Sequence, residues 1–459
     1  MSEPSSAEAA LDPQAASLIA RLERVPFSRW HIKARVVMGS ATFLDAFDAL
    51  SLAFVLPVLV GPWHITPQQV GLLIGSSYVG QLFGALLFSR LAERFGRVRS
   101  AAAATAIMSA MSLVCALSGN FWGLFACRLI QGVGVGGEMP VAAAYVSELS
   151  HAKGRGRFFL LYEMIFPVGL MVTGQLGALL VPTLGWKVLF LIGGVPGMII
   201  AGLLLRLPES PRWLIAKGRF AEAEAVIRQA EASARMGGVA DEPPRPVTAA
   251  PAVPQKSRWL ELVSSRFLTR SLVVWLLWAC SYAITNSLNN WLPTLYRTVY
   301  HLDLQSSLRF ASLTNVAQVA LLLVAAFTID RVGRRNWTLT AFVVGGGLLA
   351  LLGAGGARDV GVVIALATLA YGVVGSANAV LYLYTPEIYP TRMRAIGTGL
   401  ATSWLRLASA VGPTLVGFMV ARDGAAGVFL MFAGVAVVGA LAASQMIETR
   451  GRQLEHIAA

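Results

Sequence analysis

Apolar residues along this chain do not alternate. They run in long blocks separated by short polar breaks. Twelve blocks approach or exceed the roughly 20 apolar residues that a helix needs to cross a bilayer core. They cover about 34–60, 68–91, 100–118, 121–147, 157–181, 186–206, 268–296, 308–329, 337–357, 360–384, 395–421 and 426–447, called here spans 1 to 12. Hydrocarbon offers no hydrogen-bond partner to the backbone, so each block predicts a helix. The fold class expected is an all-α membrane protein of twelve transmembrane helices in two six-helix bundles, residues 34–206 and 267–447. Residues 1–33 form an amino-terminal segment, 207–266 a central loop and 448–459 a tail. The central loop carries a charged helical stretch, Arg219 to Arg235, and a Pro-rich linker, Asp241 to Gln255, that is too polar to pack a core. Ahead of span 1, Leu18, Ile19, Leu22 and Val25 form a helical stripe, which predicts a short amphipathic helix on the inner membrane surface.

Composition supports this picture. Of 459 residues, 56% are hydrophobic and 13% charged, with a mean hydropathy of +0.64. A soluble domain carries about 25% charged residues, so the polar surface of a soluble enzyme is missing. The net charge of +13 suggests nucleic acid until its distribution is considered. About 30 of the 37 Lys and Arg fall in every second connection and in the terminal segments. That is the bias of cytoplasmic loops, and it predicts both termini inside and no nucleic-acid partner. Cys115, Cys127 and Cys280 sit inside spans without metal-ligand spacing and read as packing residues. No nucleophile motif, His cluster or nucleotide loop appears, so no catalytic residue, metal or cofactor is expected.

The two halves repeat. After span 2 comes Glu93-Arg94-Phe95-Gly96-Arg97, and after span 8 Asp330-Arg331-Val332-Gly333-Arg334-Arg335. Glu148 and Arg155 follow span 4 as Glu387 and Arg394 follow span 10. Pro208-Glu209-Ser210-Pro211-Arg212 follows span 6, and Glu448-Thr449-Arg450-Gly451 follows span 12. The offsets are all about 240 residues. Paired acids and arginines at helix ends predict a cytoplasmic gate, closed by ion pairs between halves and opened when they separate.

The loops after spans 2 and 8 resemble the major facilitator signature, Gly-x3-Asp-Arg-x-Gly-Arg-Arg. Ser89, Glu93 and Val98 depart from it in the first copy and Ala326 in the second. Arg128-Leu-Ile-Gln131-Gly132-Val-Gly134-Val-Gly136-Gly137 is similar to the superfamily's span-4 motif. Pro208 to Arg212 is similar to a sugar-porter signature, although span 7 lacks the Gln-rich segment typical of sugar porters. Asp45-Ala46-Phe47-Asp48 resembles the Asp-Gly-x-Asp element of the metabolite and aromatic-acid proton symporters. That branch is related to synaptic vesicle glycoprotein 2 and to organic-ion carriers. The amino-terminal RLERVPFSRWH is similar to the bacterial niacin permeases within it. The resemblance implies a monomeric, multi-pass transporter of the bacterial inner membrane that imports a small aromatic monocarboxylate, such as nicotinate, with protons. Nicotinamide, organic-cation or sugar transport and a non-transporting receptor are the alternatives.

Ionisable groups inside a membrane are costly and point to function. Asp45 and Asp48 share one face of span 1. Carboxylates at low dielectric are suited to carrying protons, and Glu138 and Glu163 are further candidates. Arg128, Gln131, Glu138 and Tyr145 form a stripe on span 4. Arg128 either binds a substrate carboxylate or holds spans 1 and 4 together through Asp45 or Asp48. Span 7 aligns Trp278, Tyr282, Asn286 and Asn289, with Trp291 beside Pro293, which is expected to loosen the helix end as an outer gate. Trp291 is either a ring contact or part of the interfacial aromatic belt. Asn315, Gln318, Asn378 and Tyr382 add polar groups from spans 8 and 10, either as substrate contacts or as interhelical glue. Arg406, halfway along span 11, calls for an anionic partner, which a substrate carboxylate, Glu163 or Asp48 would supply.

Overall fold

The computed structural model describes residues 13–26, 28–149, 164–235, 259–355, 359–390 and 393–450. Its described elements are helical. In chain order they are α1 (Pro13–Arg24), α2 (Arg29–Leu59), α3 (Pro67–Phe95), α4 (Arg97–Leu117), α5 (Phe121–Glu148), α6 (Ile165–Leu184), α7 (Lys187–Leu204), α8 (Pro211–Ala216), α9 (Phe220–Arg235), α10 (Leu268–Thr298), α11 (Leu304–Val332), α12 (Arg334–Ala354), α13 (Val360–Glu387) and α14 (Arg394–Ser444), with a 3-10 turn at Trp259–Val263.

Ten of these helices are long and apolar enough to cross a membrane. One of them, α14, is two helices merged across Gly424, where φ is 66° and ψ −162°. With the 28-residue α5, α2–α7 supply six spans and α10–α14 the other six. Spans 11 and 12 are therefore joined by a backbone break at Gly424 and not by a loop. Three helix N-termini away from the ionic clusters are capped by side chains. Thr66 accepts from Gln69 N–H at 3.3 Å, Asp303 from Ser306 at 3.0 Å and Asp359 from Val362 at 3.0 Å. Each satisfies an N–H that the first helical turn leaves open. Pro293, expected to loosen the helix end, lies inside a continuous helix. α10 runs through it to Thr298, because packed neighbours tolerate a proline inside a membrane helix.

The halves meet at the end far from the ionic clusters and at mid-depth. Thr414 Oγ1 donates to the Gly71 carbonyl at 3.4 Å, Tyr78 OH to Asn286 Oδ1 at 2.7 Å and Gln175 Nε2 to the Ser312 carbonyl at 3.5 Å. At the opposite end, α1 is helical as expected, but its stripe does not lie on lipid. Leu18 and Leu22 pack against Trp213, Val226 and Ile227 of α8 and α9. Helix α9 carries its own matching stripe, so the two amphipathic faces cover each other. Arg21 pairs with Glu231 at 2.8 Å and Glu224 at 3.4 Å, and Arg212 with Glu23. Arg228, and then Arg21, hold the Glu224 carboxyl below the usual carboxylate range.

Candidate transport site

The repeated acidic–basic clusters fold into two copies of one device. Gly96 and Gly333 both take positive φ, 103° and 91°, and each turns the chain sharply between two helices. A Cβ at either position would strike a carboxylate, Glu209 or Glu448. Those carboxylates cap the next helix: Glu209 accepts from Arg97 N–H at 2.8 Å, and Glu448 from Arg334 N–H at 3.0 Å. Beside them Arg97 pairs with Glu93 at 2.8 Å and Glu148 at 3.0 Å. Arg334 pairs in the same way with Asp330 at 3.0 Å and Glu387 at 3.4 Å. The sequence expectation was pairing between halves. In this conformation these pairs lie inside each half, since capping and pairing within a half need no closure of that end. Arg212 donates to the Glu148 carbonyl at 3.0 Å, Tyr145 to that of Pro208 at 2.7 Å and Arg394 to that of Tyr389 at 3.2 Å. Arg450 donates to the Arg331 carbonyl, while Arg94 is exposed over the Phe95 ring. Arg155 and Glu163 lie outside the described residues.

At mid-depth the first half holds a dense ionisable network. Asp48 is 1% exposed; it accepts from Gln131 Nε2 and from Ser112 Oγ at 3.1 Å. Arg128 donates through one nitrogen to Gln131 Oε1 at 2.7 Å and to the Asp48 carbonyl at 3.3 Å. Of the two roles open to Arg128, the geometry supports the brace between α2 and α5. Thr42 Oγ1 donates to Glu138 Oε1 at 2.9 Å. Asp45 is buried as well, and its Oδ1 has no hydrogen-bond partner among the described residues. Its electrostatic neighbours are Glu138, Asp48 and, across the interface, Arg406.

The second half supplies rings and amides. Trp278 stacks on Tyr282 at 5.7 Å and meets Tyr382 edge-on at 4.6 Å; its N–H is fixed to Thr385 at 2.9 Å. Tyr282 and Tyr382 are half-buried. Arg406 is also half-buried and makes no hydrogen bond or ion pair among the described residues. Its electrostatic neighbours are Tyr382, Asp45 and Tyr282. The structure thus brings together Arg406, Tyr282, Tyr382 and Asp45 from the sequence candidates.

Other candidates are engaged elsewhere. Trp291 is 2% exposed and donates to the Pro413 carbonyl at 3.0 Å, joining α10 to α14. Its burial sets it apart from an interfacial belt, and its N–H serves contact between helices. Asn315 donates to Asn289 at 3.2 Å, Gln318 accepts from Tyr371 at 2.7 Å, and Asn378 joins Ser281 and Thr285. Asn286 serves the contact with Tyr78. Sequence reasoning missed Tyr371 and Tyr78. Tyr371 precedes Asn378 by seven residues and Tyr382 by eleven, so the helical stripe already pointed to it. No such spacing announced Tyr78.

A sequence profile described as "Sugar (and other) transporter" matches residues 38–459. The chain belongs to this family of the major facilitator superfamily. It is a multi-pass membrane transporter and not an enzyme. The chain is 33% identical over 444 residues to the niacin transporter NiaP of Acinetobacter baylyi, covering 96% of this chain and 99% of that one. It is 26% identical over 427 residues to the 4-hydroxybenzoate transporter PcaK of the same organism, covering 93% and 92%. Among solved structures it is similar to the partially occluded inward-open xylose transporter XylE of E. coli. That match has a TM-score of 0.72 at 19% identity and covers 93% of this chain and 100% of that one. The likeness to XylE speaks for the fold alone.

Proposed function

We propose that this transporter imports a small aromatic monocarboxylate, nicotinate being the first choice, together with a proton across a bacterial inner membrane. The observation that carries the reading is Arg406, a cation between the halves with no partner among the described residues, flanked by Tyr282 and Tyr382. A half-buried guanidinium at membrane depth calls for an anion, and its planar fork fits a carboxylate. The rings beside it offer a face for a flat substrate. The named relatives that carry niacin and 4-hydroxybenzoate support the same chemistry, a carboxylate on an aromatic ring.

Proton coupling falls to Asp45. Asp48 has its oxygens committed to Ser112 and Gln131, so its role is structural. Asp45 keeps an oxygen free of hydrogen bonds and interacts with Arg406. A substrate carboxylate on Arg406 would remove the cation from Asp45's field and favour proton uptake there, which links the two loads.

A ligand panel tests the substrate class. At a hundredfold excess over Kd a specific ligand stabilises the folded protein by about 2.7 kcal/mol. Nicotinate and benzoate-type acids should raise the Tm of the purified protein, and nicotinamide, which lacks the carboxylate, should not. Stabilisation by nicotinamide or xylose with none by the acids would overturn the proposal.

A further inference from the structure

Two cavities follow one another along the seam where α2 meets α7, away from the transport site. The first, of 620 Å³, lies within the apolar depth of the bundle and is walled by residues such as Phe43, Leu176 and Ile192, with Arg35 among its lining. The second, of 290 Å³, lies at the end that carries the ionic clusters. Trp30, Lys33, Arg206 and Gln229 line it, over apolar residues that include Leu207 and Val226. Val36 of the first cavity and Lys33 of the second are one turn apart on α2. Ile200 lies in the last turns of α7, and Arg206 follows just beyond its end at Leu204. The antiparallel helices therefore lead from an oily groove straight into a basic cup.

The chemistry of the cup is one-sided. Lys33 and Arg206 are cations, Trp30 and Gln229 present N–H donors, and no carboxylate is among the described residues that line it. Lys33 and Arg206 are exposed and make no ion pair or hydrogen bond through their side chains among the described residues. The Trp30 indole N–H is buried without an acceptor among the described residues. Unmet donors beside two cations fit an oxyanion that accepts several hydrogen bonds. The adjoining groove adds a second requirement. A free phosphate would fill only the cup, and a neutral lipid would satisfy only the groove.

We infer that the α2–α7 seam is a binding site for an anionic phospholipid, its phosphate in the cup of Trp30, Lys33, Arg206 and Gln229 and an acyl chain in the groove beyond. Helix α9 contributes Gln229 and Val226 to the cup and also holds α1. The headgroup therefore bridges the membrane bundle to the helices packed beneath it. Neither the substrate nor the coupling proposed above enters this inference.

The test measures lipid binding to the full chain in detergent by native mass spectrometry, with melting temperature as a second readout. Phosphatidylglycerol should bind about tenfold more tightly than phosphatidylcholine, since each Lys or Arg near a headgroup adds to anion affinity. Lys33→Gln with Arg206→Gln should erase that preference. Trp30→Phe, which keeps a ring but loses the N–H, should weaken phosphatidylglycerol about threefold and guards against misfolding of the double variant. Arg90→Gln with Lys217→Gln removes the same charge outside the cup and should leave the preference intact. Inorganic phosphate alone should raise the melting temperature less than phosphatidylglycerol does. Equal binding of the two lipids, an unchanged preference in the double variant, or protection by inorganic phosphate matching that of the lipid would each overturn the inference.

Discussion

The polar centres of the two halves solve different problems. In the first half, charge is held by its own scaffold: Arg128, Gln131, Asp48 and Ser112 close a network among three helices. In the second half the rings and amides are fixed to one another, yet the half's central charge, Arg406, has no partner among the described residues. A buried charge is stable only when paired or hydrogen-bonded. The first centre therefore meets much of its charge internally, although Arg128 Nε and Asp45 Oδ1 keep no partner among the described residues, whereas in the proposed reading the second is completed by substrate. Asp45 stands between them, on the first scaffold but in the field of the second's cation.

Substitutions separate the two roles. Gln131→Ala should cost about 2–4 kcal/mol of stability, because Asp48 and Arg128 lose a shared partner away from water. Thermal unfolding of the purified protein checks it, and a loss below about 1 kcal/mol would mean that water or Ser112 replaces the brace. Arg406→Gln should leave the melting temperature near wild type while carboxylate affinity falls roughly 30- to 150-fold, the worth of about 2–3 kcal/mol for a charge-assisted contact. Titration calorimetry with nicotinate reads that number; a variant that melts early but binds normally would place Arg406 with the scaffold. Trp291→Phe should be the mildest. It removes the hydrogen bond to Pro413, costs about 1 kcal/mol of stability and changes nicotinate affinity by less than about twofold. A large loss of affinity there would return Trp291 to the binding surface.

The sequence made the architecture legible because bilayer thickness imposes one requirement on every span. The repeat of Glu209 and Glu448 was equally visible. What those acids touch was not: each caps the helix that follows its half's glycine turn, more than a hundred residues earlier. The mid-membrane charges could be nominated one by one, since any ionisable residue in an apolar block stands out. Their roles depend on partners on other helices. Asp48 and Gln131 are 83 residues apart, and helical periodicity reaches only along one helix. The same limit explains the amino-terminal stripe. Leu18 and Leu22 announced an amphipathic helix, but only the position of Val226 and Ile227 decided that protein, not lipid, would cover it.

Uptake of labelled nicotinate into proteoliposomes, with a pH gradient alone or a voltage alone, tests proton-linked transport of a monoanion most directly. One proton per monoanion moves no net charge, whereas each uncompensated charge would respond to voltage by about 2.3 kcal/mol per 100 mV. The account predicts accumulation driven by the pH gradient and insensitive to voltage, and an Asp45→Asn variant that exchanges nicotinate but no longer accumulates it. Accumulation driven by voltage alone, or an Asp45→Asn variant that accumulates as wild type does, would contradict it.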